Sequence, residues 1–346
     1  MPSLPKRSEL SKHWDLDANT VFLNHGSFGA CPKEILDFQT QLRQKLERDP
    51  VKFMETEARE LWSEALNVLS DFMNANPDGL AFVTNATSGV NTVLKSLDLQ
   101  PGDEILVPDH SYQACRNSVD FVTEKTGAKT IVVPLPFPIE SNQQIIDTIL
   151  SHTTSNTRLA LIDTVTSPTG LLMPFEALTK EIQDRGIDVL LDAAHGPGMV
   201  PLNFEKLNPA YATGNAHKWL CTPKGSAFLY VREDRREQIR PLCISHGASV
   251  PGTTDEKFRF EFDWPGTQDV TPWLCIPKSI EYVGSMLDGG WPAIMKQNSQ
   301  LAITGRKLIL EVLGTPNPSP DSMIVGLAAV LLPGRGTLTA SALEPD

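Results

Sequence analysis

From Leu80 to Val231 short apolar runs alternate with helical patterns, and few folds accept that order. Strand-length runs stand at Leu80–Thr84, Glu104–Pro108, Thr130–Leu135, Leu159–Asp163, Asp188–Asp192 and Ser226–Val231. Between several of them lie amphipathic stretches such as Ser88–Leu97 and Phe175–Arg185. Strands that alternate with helices predict an α/β fold: a mostly parallel sheet flanked by helices. Two further helices are expected upstream, at Lys33–Arg48 and Thr56–Met73, each with an apolar stripe at helical spacing. Residues 1–20 are polar and proline-punctuated and read as an N-terminal arm, followed by a large α/β domain over 21–271. After about Pro272 the pattern turns helical, at Pro277–Leu287 and Pro292–Leu313. A proline-rich link then leads to the apolar run Met323–Leu332 and a small, polar tail expected to be unstructured. Residues 272–346 therefore read as a small C-terminal domain that begins and stops early.

Composition narrows the partners. A chain of 346 residues with 40% hydrophobic and 21% charged residues has ample material for a buried core. Its net charge of −12 argues against a nucleic-acid groove or an anionic membrane surface. The five cysteines are scattered and never spaced Cys-x-x-Cys, which suits a reducing cytosol and offers no zinc framework. The N-terminal residues lack the apolar core of a signal peptide, and the run Ile324–Leu332 is too short to span a bilayer. The expectation is a cytoplasmic protein with no nucleic-acid or membrane partner.

The chemistry concentrates in Asp188–Lys218. Val189, Leu190 and Leu191 form a buried-strand run that ends on Asp192, with His195 and the glycines 196 and 198 just beyond. Ligands collect outside the carboxyl ends of strands in open α/β sheets. Lys218 follows His217 in a segment poor in charge. A carboxylate at a strand end and a downstream lysine is what pyridoxal 5′-phosphate requires. The lysine holds the aldehyde as a Schiff base and the carboxylate keeps the pyridine nitrogen protonated. Alone, Asp192 could equally cap a turn and Lys218 lie at the surface.

Other strand ends bring matching residues. Thr84-Asn85-Ala86-Thr87-Ser88-Gly89 hands a strand to a helix, a place where free N–H groups and the helix dipole bind phosphate, though a plain N-cap has the same pattern. Asp109-His110-Ser111-Tyr112 and Thr166-Ser167-Pro168-Thr169-Gly170 follow two more strands, the first with flat rings that suit stacking on another ring. Rival readings account for less. A metal-dependent hydrolase built on Asp192, His195 and His217 leaves Lys218 and the Thr84–Ser88 loop idle. A dinucleotide loop at Gly196-x-Gly198 meets Pro201 where its last glycine should stand. Ser27 lacks the preceding glycine of a nucleophile elbow, because position 25 is His25.

Taken together, these motifs resemble the class V aminotransferase family of fold-type I pyridoxal phosphate enzymes, most closely its isopenicillin N epimerase-like branch. The resemblance runs from about Phe22 to Leu332. It rests on Leu-Asn-His-Gly-Ser-Phe-Gly at 23–29, Thr-Asn-Ala-Thr at 84–87, Asp-His-x-Tyr at 109–112, Asp-Ala-Ala-His at 192–195, His-Lys-Trp at 217–219, Pro-Lys-Gly at 223–225 and Trp-Pro-Gly-Thr-Gln-Asp at 264–269. It implies Lys218 as the Schiff-base lysine, Asp192 as the pyridinium partner and His195 beside the ring's phenolic oxygen. It further implies His110 stacked on the ring, with Tyr112 the second choice, and Ser167 among the cofactor contacts. Ala86, Thr87, Asn215 and His217 would hold the phosphate, and Gly266 with Thr267 would reach it from the partner subunit of a homodimer. Asn24, His25 and Tyr112 would meet an amino-acid substrate. No metal is expected. The implied activity is chemistry at an amino acid's α-carbon, as an epimerase or C–S lyase. Where the family's C-terminal domain supplies an arginine for the substrate carboxylate, neither Arg306 nor Arg335 is a convincing counterpart. A shortened chain that binds the cofactor without catalysis is the alternative.

Overall fold

The computed structural model describes residues 7–333. Residues 1–6 of the N-terminal arm, Arg335 and most of the polar tail lie outside the described residues. The described residues form seven strands and nine helices of eight residues or more, numbered along the chain.

Helices α1 (Lys33–Arg48) and α2 (Ala58–Met73) precede strand β1 (Leu80–Val83) and helix α3 (Ala86–Ser96). Strand β2 (Glu104–Pro108), α4 (Gln113–Thr126), β3 (Lys129–Val133), α5 (Asn142–Ser151) and β4 (Thr157–Asp163) follow. Next come α6 (Phe175–Gln183), β5 (Asp188–Ala193), β6 (Tyr211–Asn215) and β7 (Ala227–Val231). The chain continues through α7 (Thr254–Phe262), α8 (Ile276–Gly284) and α9 (Gly290–Leu313). The seven strands form one sheet in the order β1-β7-β6-β5-β4-β2-β3. Only β7 runs against its neighbours, pairing antiparallel with both β1 and β6. Six strands therefore end at one edge of the sheet.

Alternation along the strands feeds two cores. In β4, Leu159 and Leu161 enter the layer with Val90, Val119 and Phe258, from α3, α4 and α7. Ala160 and Ile162 enter the opposite layer, which holds Ile35, Leu69, Ile145 and Leu178 from α1, α2, α5 and α6. A sheet covered on both faces by helices needs apolar residues at both parities, which is why these strands read as continuous apolar runs. The segment after residue 271 belongs to the second layer through Trp273, Leu274, Ile276 and Met323.

Strand β6 escapes a search for apolar runs because Tyr-Ala-Thr-Gly-Asn is small and polar, yet it lies buried between β5 and β7. Small residues are what the position demands: a Cβ on Gly214 would stand 2.6 Å from the Ala193 carbonyl oxygen. Helices α4, α5 and α7 also went unread, α4 because its short apolar stripe is broken by polar residues such as Arg116, Asn117 and Asp120. The apolar run 324–332 forms no helix. Leu172 N–H donates to the Met323 carbonyl at 2.9 Å, and Leu327 lies where a Cβ on Gly26 or Gly170 would stand. Among the described residues no helix is long and apolar enough to cross a membrane.

Helix α3 sits close to β6 because Gly89 has no side chain. A Cβ there would fall 2.1 Å from Thr213 Oγ1, a buried hydroxyl held by the Phe228 carbonyl. Gly89→Ala is expected to lower stability by roughly 1–3 kcal/mol through overpacking and to weaken cofactor retention by displacing the helix. Urea unfolding of the apo-protein and equilibrium dialysis of pyridoxal phosphate measure the two effects.

Candidate active site

At the shared sheet edge a cavity of about 640 Å³ opens between the ends of β1, β4, β5 and β6 and the N-terminus of α3. Its wall includes Ala86, Thr87, Tyr112, Ser167, Asp192, His195, Asn215, His217 and Lys218. Nine residues nominated from the sequence thus meet although up to 132 positions separate them (Ala86 to Lys218).

The amine end is built by the turn after β6. Lys218 Nζ lies 3.2 Å from His195 Nε2, and Trp219 Nε1 points at His195 Nδ1 from 3.4 Å. An indole nitrogen can only donate, so Nδ1 accepts and the His195 proton resides on Nε2. That N–H then faces Lys218 Nζ, a contact that favours the amine over the ammonium. Burial lowers the Lys218 pKa, and burial together with the charge of Lys218 takes His195 down to about 3. A lowered lysine pKa makes the unprotonated, nucleophilic form of the amine more accessible. The backbone beneath it is held by His25 Nε2, which donates to the Lys218 carbonyl at 2.9 Å, and by Gly29, where any Cβ would strike His217 O at 2.2 Å.

The acid end is Asp192, the penultimate residue of β5 and 3% exposed. Its carboxylate accepts the Ala194 N–H at 2.9 Å and the Cys115 thiol at 3.2 Å. Burial raises its pKa, and those two donors together with Lys218 pull it back. A carboxylate kept in a dry pocket with few partners is suited to pairing with a cationic ring nitrogen.

The anion end is the start of α3. Asn85 caps the helix by accepting from Ser88 N at 2.8 Å, and Asn215 Oδ1 accepts from Ala86 N at 2.9 Å. The Asn215 amide nitrogen stays free to donate, and among the described residues the Thr87 N–H has no acceptor. An eleven-residue helix with an open N–H at its second position is a fitting cradle for a phosphate. His217 donates through Nδ1 to the Ser226 carbonyl at 2.8 Å, and burial lowers its pKa to about 4.

Other nominated residues stand elsewhere. His110 is 5% exposed, tied through Nδ1 to Thr169 Oγ1 at 3.1 Å and edge-on to Phe137; Tyr112 is the ring on the cavity wall. Asn24 spends its side chain on Ser27 N, so this segment faces the cavity with Ser27 and Phe28 instead. Gly266 and Thr267 lie outside the cavity wall, in the loop after α7, whose Pro265 and Gln268 line a smaller hollow shared with Thr84 and Ser88. Arg306 is 2% exposed and committed to Ser319 and Asp321. Reading motifs alone missed Asp163, Lys224 and Leu242 on the wall. Asp163 was findable, because it ends an apolar strand as Asp192 does. Among the described residues no group of three or more His, Cys, Asp or Glu side chains is placed to hold a metal.

Known proteins resemble this chain in sequence and in fold. The class V aminotransferase profile matches residues 32–328. This chain belongs to the class V aminotransferase family. Over 341 residues it is 30% identical to a probable chloroplastic L-cysteine desulfhydrase of Arabidopsis thaliana, covering 94% of this chain and 70% of that one. It is 31% identical over 332 residues to the isopenicillin N epimerase of Streptomyces clavuligerus, covering 92% and 82%. The apo cysteine desulfurase of Thermococcus onnurineus superposes with a TM-score of 0.78 at 18% identity, over 97% of this chain and 84% of that one, a likeness of fold. The cofactor of this class V chain is pyridoxal 5′-phosphate.

His195 gives a pH signature. Its folded pKa is about 3 against an ordinary 6.5, so the unfolded chain binds a proton that the folded one refuses. The resulting stability is complete above about pH 6.5 and is lost as pH falls toward 3. Between about pH 6.5 and 4, wild type is expected to lose roughly 3 kcal/mol more than His195→Gln. Urea titrations of both proteins across that window measure the difference.

Proposed function

We propose that this chain is a pyridoxal phosphate-dependent C–S lyase acting on a cysteine-type amino acid. The observation that carries the reading is the Lys218 amine, 3.2 Å from His195 Nε2 in the same cavity as the buried Asp192 carboxylate and the open start of α3. Bound pyridoxal phosphate supplies an aldehyde for amino groups and a ring that draws electrons from the substrate's α-carbon. Lys218 would hold it covalently and, once released, take the α-proton at Nζ. Asp192 would keep the ring nitrogen protonated. His195, with its proton on Nε2, has a donor to offer the phenolic oxygen. Thr87 N–H, Asn215 and His217 would hold the phosphate, with Ala86 and Ser167 in contact and Tyr112 beside the ring in place of His110.

Elimination of a β-sulfur needs one base, and Lys218 provides it. Epimerisation needs a second proton donor on the opposite face, and Tyr112 is the group on the wall that favours this second reading. The two named relatives, a desulfhydrase and an epimerase, divide along the same line. Two lysines and, among the described residues, no arginine line the cavity, which leaves Lys224 on the rim as the cation available to a substrate carboxylate.

Lys218→Ala is expected to abolish the visible, borohydride-sensitive band of the bound cofactor while the protein stays folded; a reducible band on another lysine would overturn the assignment. With L-cysteine and related amino acids in heavy water, pyruvate and sulfide release supports the lyase. A deuterated D-product supports the epimerase, and no exchange at all marks a cofactor-binding chain without catalysis.

We also propose a homodimer in which Gly266 and Thr267 of one chain reach the phosphate site of its partner. Support comes from Gly266 and Thr267 lying outside their own chain's cavity wall and from exposed Phe28, Leu242 and Ile244. Sedimentation should show a dimer, and Thr267→Ala should loosen the cofactor by about tenfold, the worth of one charge-assisted hydrogen bond. A fully active monomer would refute it.

A further inference from the structure

Two carboxyl groups share the floor of the cavity. Strands β4 and β5 are parallel neighbours in a register that sets Asp163 opposite Asp192. Alternation sends both side chains to the face that carries Leu159, Leu161 and Leu190. Each residue is 3% exposed, and both line the cavity. Two carboxylates side by side in a dry pocket do not both ionise near neutral pH, because repulsion adds to the cost of desolvation. One proton must sit on the pair.

The hydrogen-bond partners decide where. Asp192 accepts from two donors, the Ala194 amide and the Cys115 thiol. Asp163 meets Ser111 Oγ at 2.6 Å and its own backbone N–H; as placed the hydroxyl donates, but unlike a thiol held by burial or an amide it can turn and accept a proton instead. The other titratable groups acting on the pair are Cys115 from α4, which burial keeps protonated, and Lys218 from the turn after β6. Cys115 keeps its own proton, and Lys218 favours the charged form of Asp192, which leaves the shared proton to Asp163.

We propose that the Asp163–Asp192 pair holds a single proton, carried by Asp163 and donated to Ser111, and that Asp163 is a positioning residue whose neutrality lets Asp192 keep its charge. The catalytic consequence rests on the assignment of Asp192 to the cofactor's ring nitrogen; the proton itself is a property of the apo-protein. Burial first, then the charge of Asp192, raises the Asp163 carboxyl well above the usual carboxylate range. A raised folded pKa contributes stability that is complete below the unfolded value, about 3.9, and is lost as pH rises toward the folded one.

The experiment compares apo wild type with Asp163→Asn, which keeps the shape and has no proton to lose. The ratio of their folding equilibrium constants should move in favour of the variant as pH rises above about 3.9, by up to about tenfold per pH unit, until the folded pKa is reached. A ratio that stays constant overturns the proposal. Infrared spectra of the apo-proteins in heavy water near pH 7 locate the proton. Wild type should show a buried carboxylic acid carbonyl band that Asp163→Asn removes and Asp192→Asn retains. No band in wild type, or the reverse pattern in the variants, overturns the assignment. Should Asp163→Asn fail to fold, the wild-type band and its frequency shift in Ser111→Ala still decide. Failure of the cofactor reading would appear in Lys218→Ala and leave these apo-protein measurements unchanged.

Discussion

Withdrawal of ionisable groups from water at one edge of a parallel sheet is the constraint on which this structure turns. An amine, two carboxyls and two imidazoles lie within one cavity, and each must settle its charge with its neighbours because solvent cannot do it. His195 stays neutral with its proton toward Lys218; burial lowers the Lys218 pKa; Asp192 is held by the Ala194 amide and the Cys115 thiol. A site arranged in this way is prepared for an electrophilic aldehyde and a cationic ring before either arrives, so little reorganisation is left for the reaction itself.

The backbone arrangement that permits this is economical. Parallel strands deliver their carboxyl ends to one edge, so β4, β5 and β6 supply Asp163, Asp192 and Asn215 side by side. Helix α3 comes near enough to present its N-terminus because Gly89 lets it rest on Thr213. Asn215 then ties sheet to helix through Ala86 N–H, coupling the acid end of the cavity to its anion end. From the other side, the turn 25–29 braces the Lys218 backbone through His25 and Gly29. A histidine expected to meet substrate therefore supports the lysine that would meet the cofactor.

The C-terminal segment takes part in the same construction. Trp273 packs against both Phe82 and Trp62, and its indole N–H donates to the Val83 carbonyl, just before the Thr84–Ser88 loop. Gly326 lies against the Trp219 ring, whose indole N–H sets the His195 tautomer. Residues beyond 271 thus steady both ends of the cavity from behind. Arg306 serves that packing through Ser319 and Asp321 and takes no part in the cavity wall.

Much of this was legible in one dimension. Six of seven strands announced themselves as apolar runs, because a sheet covered on both faces needs apolar side chains at both parities. Asp192, Lys218 and the Thr84–Ser88 loop could be nominated because strand ends and helix starts have local signatures, and the family followed from the motifs together. What the sequence alone could not show was anything that depends on which neighbour stands across the gap. Strand β6 is a strand because its small residues fit between β5 and β7, and no apolar run marks it. His110 and Tyr112 are two positions apart, yet only packing against Thr169 and Phe137 turns one away from the cavity and leaves the other on its wall. Asp163 gains its meaning from the register that sets it opposite Asp192. Periodicity and composition are written along the chain; register, tautomer and the sharing of a proton arise between segments far apart in it, and only the folded structure brings them within reach.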